Sequence, residues 1–151
     1  MSASQHHLAG RAVFVSVRSR YDAIRRQKTQ NVELRRNIFR RMTDCEQTMD
    51  TITKTIMARQ QQHVAALGGP VYGAQPTHSC QQSPWAEQVG QVQEMQARLQ
   101  HLSEAFQRLR GTYMRLSVQD DTIDDVLRSC TEDLIRLTVR SLDADTRTHG
   151  G

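Results

Sequence analysis

The sequence predicts an all-α protein, an elongated antiparallel hairpin of two long helices paired as a coiled coil. Three observations carry that expectation. First, nine of the ten heptad core positions between Trp85 and Leu116 are apolar. With Trp85 at position a, the a slots are Trp85, Val92, Leu99, Phe106 and Tyr113, and the d slots are Gln88, Met95, Leu102, Leu109 and Leu116. A 3.5-residue repeat keeps one stripe of a helix facing a neighbouring helix. Second, a similar pattern runs from Arg11 to Leu67 without a single glycine or proline. Third, all three prolines, Pro70, Pro76 and Pro84, lie in the short stretch between the two patterns.

Composition agrees. A chain of 151 residues fits one domain. Hydrophobic residues make up 37% and aromatic residues 5%, which suits a thin core and argues against a sandwich, barrel or doubly wound sheet. The longest apolar stretch, Ala12 to Val17, is about a third of the ~18 residues needed to span a bilayer, so no transmembrane helix is expected.

Residues 1–9 read as a flexible tail, followed by a coiled-coil domain over 10–145. Its first helix spans 10–67. With Phe14 at a, eleven of its sixteen core slots are apolar: Phe14, Val17, Tyr21, Ile24, Ile38, Met42, Cys45, Met49, Ile52, Ile56 and Ala66. The threonine-rich stretch around Thr43 to Thr55 lowers helix propensity, and packing along the seam must offset it. Gly68, Gly69 and Pro70 end the helix, glycine supplying a left-handed cap and proline denying the next hydrogen bond. The connection covers 68–83 and closes with Ser83-Pro84, an N-cap followed by proline at the first helical position.

The second helix spans 84–144. Its register continues through Ile123, Leu127, Cys130, Leu134 and Leu137. Ser117 to Asp120 resembles a helix start, and Asp120, Asp121, Asp124 and Asp125 would complement a fresh N-terminus. A restarted helix would shift the register, and here it does not shift, so a continuous helix, with at most a kink near 117–121, is expected. Residues 146–151 read as a second flexible tail.

Charge supports folding back. Residues 11–41 hold ten basic and two acidic side chains, net +8, while residues 119–145 hold three basic and eight acidic ones, net −5. Folding about Pro76 sets residue i beside roughly 152 − i, and the basic arm beside the acidic one.

Lys28, Asn31 and Arg35 interrupt the first seam at consecutive core slots, opposite Asp124, Asp121 and Ser117 on that count. Two readings fit. A polar layer would set register and partner number at a cost in stability. Alternatively the helix rotates locally, so that Val32, Leu34 and Phe39 face inward and the charges stay solvated.

Outside the seam, Val32, Leu34, Phe39 and Val126 widen the apolar stripe, and Ile135, Val139 and Leu142 form a further face at i, i+4, i+7. A two-helix hairpin cannot cover both, which marks these seven residues as a candidate partner face. Arg18, Arg20, Arg25, Arg26, Arg35, Arg36, Arg40 and Arg41 form a candidate basic patch. Clustered arginine suffices for weak phosphate binding, yet no ribonucleoprotein or DNA-reading motif accompanies it.

Catalytic chemistry finds no footing. His6-His7 and His78-Ser79-Cys80 lack the paired spacing of a zinc site, the aspartate cluster lacks the glycine and terminal glutamate of a calcium loop, and no phosphate loop or nucleophile elbow occurs. No metal, cofactor or enzymatic activity is expected. Cys45, Cys80 and Cys130 are odd in number and widely spaced, which favours reduced structural thiols. The acid-free first 21 residues are compatible with a mitochondrial transit peptide, but Phe14, Val17 and Tyr21 already occupy seam positions.

The expectation is a cytoplasmic, non-catalytic structural or adaptor subunit assembling with other helical subunits, in hetero-oligomers rather than homodimers. Its plan is similar, in architecture alone, to small subunits of tethering, cytoskeletal, ciliary or kinetochore complexes. The alternative is a nucleic-acid-associated helical protein using residues 18–41.

Overall fold

The computed structural model describes residues 3–68 and 84–149, with side chains over 8–68 and 84–147. It is an all-α helical hairpin of two helices, α1 (Ala3–Leu67) and α2 (Pro84–His149). Neither helix is long and apolar enough over any stretch to cross a membrane.

Both helices run further than expected. Residues 3–9 and 146–149 continue the rods in place of the tails expected there. No proline interrupts either segment, and extending an existing helix adds one hydrogen bond per residue without a new nucleation cost. Thr146 shows how such an end is held: its hydroxyl donates to the Leu142 carbonyl at 3.2 Å.

At 117–121, α2 stays helical. Ser117 does not cap a new helix; its hydroxyl donates back to the Tyr113 carbonyl at 3.1 Å. Thr122 does the same to Val118 at 3.2 Å. The threonine-rich part of α1 uses this device five times, at Thr43, Thr48, Thr51, Thr53 and Thr55. Each hydroxyl is satisfied within its own helix, at a small cost in helix stability that packing along the seam offsets.

α1 ends at Leu67, directly before the Gly68-Gly69-Pro70 sequence, and the left-handed position does not fall on Gly68. Gly68 donates its N–H to the Val64 carbonyl at 3.1 Å, and its φ lies outside the left-handed region. It extends the helical ladder by one bond. Gly69, Pro70 and Ser83 lie outside the described residues.

The hairpin divides into two compact units, residues 1–37 with 113–151 and residues 38–112. In the first, the deepest side chains are mixed: Ile123 and Cys130 are buried beside Asn31 and Asp120. In the second they are isoleucines, Ile38, Ile52 and Ile56. No described side chain is fully enclosed, as befits two helices that bury one stripe each.

Burial follows the heptads. In α1 every a and d slot from Phe14 to His63 is buried or half-buried, and only the last, Ala66, is exposed. In α2 the same holds for every slot from Val92 to Leu137, whereas Trp85 and Gln88 are exposed. Trp85 closes the second unit by stacking on His63, ring centroids 3.8 Å apart and tilted by 31°.

Candidate functional site

The first unit holds the most unusual chemistry of the chain, a polar layer inside the seam. Asn31 is 6% exposed and donates through Nδ2 to the Leu116 carbonyl at 3.2 Å. Arg35 reaches Asp120 Oδ2 at 3.0 Å and the Ser117 hydroxyl at 3.5 Å. Lys28 pairs with Asp124. Of the two readings open in the sequence, this is the inward one. Leu34 and Phe39, which a rotated helix would bury, are 48% and 59% exposed.

Two pairings match the fold-back count, Lys28 with Asp124 and Arg35 with Ser117. The third does not. Asn31 takes a backbone carbonyl rather than Asp121, which points to solvent. The partner missed by counting is Asp120. It sits at an a slot of α2, and its place in the heptad was the available signal, obscured because it read equally well as part of a helix-start cluster.

Three buried atoms of this layer, Asn31 Oδ1, Arg35 Nε and Asp120 Oδ1, have no hydrogen-bond partner among the described residues. Two acceptors and one donor thus remain unspent where desolvation makes that costly.

The candidate basic patch loses a member. Arg35 is a core residue with a side chain only 24% exposed, so it does not belong to a phosphate-binding surface. Arg18 and Arg36 are exposed but engaged along the helix, with Asp22 at 3.6 Å and Glu33 at 3.8 Å. Arg20, Arg25, Arg26, Arg40 and Arg41 are exposed.

In the candidate partner face, Ile135, Val139 and Leu142 are 59%, 51% and 60% exposed, alongside Leu34 and Phe39. Val32 and Val126 are half-buried and belong to the margin of the seam. Sequence reasoning missed further exposed aliphatics: Leu8, Val13, Val15, Met114 and Val118 in the first unit, Met57, Val64 and Leu67 in the second. Their heptad positions outside a and d were the signal.

The second unit carries an open groove of about 670 Å³ lined by Met49, Thr53, Gln96, Leu99, Gln100, Ser103 and Glu104. Glu104 is its single titratable lining residue and accepts from Gln100 at 3.3 Å, so no acid–base pair converges there. Among the described residues no group of three or more histidine, cysteine or acidic side chains is placed to hold a metal. Cys45 and Cys130 are free thiols, while the His6-His7 and His78-Ser79-Cys80 sequences lie outside the described side chains. Compared with models of known protein families, with curated proteins and with solved structures, the chain matches none.

Proposed function

We propose that this chain is a non-catalytic structural subunit that assembles through its helix faces with other helical subunits into a larger complex. The carrying observation is the exposure of Ile135, Val139 and Leu142 on the side of α2 away from the seam. Three aliphatic side chains on one helix face gain roughly 1.5–3 kcal/mol each when covered, before the costs of association.

The test is affinity purification from the native cell with quantitative mass spectrometry, comparing the natural chain with Ile135→Ser, Val139→Ser and Leu142→Ser combined. The expected outcome is loss of co-purifying subunits with helical circular dichroism unchanged. Unaltered recovery of the same subunits by the triple variant would falsify the proposal.

A further inference from the structure

We infer that one flank of the first unit pairs with the same flank of a second copy of this chain, about a two-fold axis running along the helices. The inference rests on the assembly reading above and deepens it: the helical subunit that covers Ile135, Val139 and Leu142 is a second copy of this chain, and other subunits dock on the bundle that the two copies form.

In an antiparallel pair of heptad helices the e rows line one flank of the seam, with the b rows beside them. On that flank α1 carries Leu8 and Val15 at b, and α2 carries Ile135 and Leu142 at b with Val139 adjacent at f. All five are between 51% and 68% exposed. The bonds of Lys28 to Asp124 and Arg35 to Ser117 fix which turns stand level. Followed towards the chain ends, that register puts Leu8 level with the turn of Leu142, and Val15 level with that of Ile135. Two aliphatic ridges therefore face the same way on either side of the e rows.

Further along this flank, beyond Asp22 of α1 and beside Arg128 of α2, stand two pairs of opposite charge. Arg25 and Arg26 stand on α1, Asp121 and Asp125 on α2. Among the described residues Arg25, Arg26 and Asp121 make no ion pair, and Asp125 makes only an exposed contact with Arg128 at 3.3 Å.

Two kinds of two-fold axis bring identical flanks face to face. An axis across the helices lays α1 on α1 with its direction reversed; placed to overlap the aliphatic ends it leaves Arg25 and Arg26 without a partner, and placed at their own level it sets them against their own copies. An axis along the helices lays α1 on α2 of the second copy, at the same level. It brings Arg25 and Arg26 to Asp121 and Asp125, and closes Leu8 and Val15 over Leu142 and Ile135. Only the second satisfies the charges and the aliphatic ridges at once, and complementarity therefore favours it. The product is a four-helix bundle built from two first units.

Sedimentation equilibrium on the full chain tests this. A dimer of the 17.3 kDa chain is expected. Val15→Asp with Leu142→Asp should give a monomer of unchanged helicity. Arg25→Glu with Arg26→Glu should weaken the dimer about tenfold or more, as should Asp121→Arg with Asp125→Arg. All four charge changes in one chain should restore it, a result that damaged folding cannot imitate. A chain that stays monomeric at high micromolar concentration overturns the inference, as does a dimer indifferent to the Val15/Leu142 variant or a fourfold variant weaker than either pair. If the chain is monomeric and the serine triple variant still loses its subunits, this inference fails and the assembly reading stands. If that variant also keeps its subunits, both fail.

Discussion

Arg35 and Asp120 show what a charged pair does inside a two-helix seam. Their side chains are 24% and 12% exposed, so neither ion is fully hydrated, and each is tolerable because the other is there. Arg35→Ala should therefore destabilise the chain by about 3 kcal/mol, because it strands the Asp120 carboxylate. Replacing both residues by leucine should leave the thermal midpoint unchanged or higher, since the apolar pair carries no desolvation penalty. Thermal unfolding of the two variants separates these outcomes; equal losses would show that the pair contributes no mutual compensation. His63 and Trp85 offer a second test. Trp85 is the only tryptophan of the chain and stacks on His63. His63→Ala should shift its emission to longer wavelength and cost about 1 kcal/mol, while leaving the helical signal intact. Identical emission spectra would mean that the stack does not persist in solution.

At the scale of elements, each helix trades local propensity against the seam. Threonines at 43–55 are poor helix formers in isolation, yet their hydroxyls turn back onto carbonyls four residues earlier and their helix is anchored by Ile52 and Ile56. Gly90 and Gly111 are interior to α2 on its outer side, where an added methyl would meet nothing within 4 Å. Alanine at either position should raise stability by about 1 kcal/mol through the lower backbone entropy of the unfolded chain. Chemical denaturation checks it, and a loss of stability would mean that these glycines face something the hairpin alone does not contain. The continuity of α2 through 117–121 was legible because the heptad register does not slip there. The helical turns at 3–9 and 146–149 were not, because no seam residue distinguishes them from a tail.

For the whole molecule, the formal net charge is only +4, and part of the basic arm is spent internally on Lys28–Asp124 and Arg35–Asp120. Single-stranded RNA should therefore bind weakly, with an affinity that falls steeply between low and physiological salt, because only exposed arginines release counterions. Fluorescence anisotropy with a labelled oligonucleotide measures this. Tight binding that survives physiological salt would favour the nucleic-acid reading of residues 18–41 over assembly.

Fold class, helix number and antiparallel pairing were all readable from residue spacing, because a coiled-coil seam is a local, periodic property and every heptad repeats the same instruction. The polar slots Lys28, Asn31 and Arg35 were readable too, but not which way they face. That depends on whether a partner across the seam compensates them, and Asp120 and the Leu116 carbonyl become neighbours only when the chain folds back. Likewise, the periodicity of Ile135, Val139 and Leu142 marked them as a face of their own, whereas Leu8 and Val15 look unremarkable in sequence. Only the pairing of α1 with α2 brings those two residues onto the same flank, because a surface shared by two helices is defined by their register and not by either helix alone.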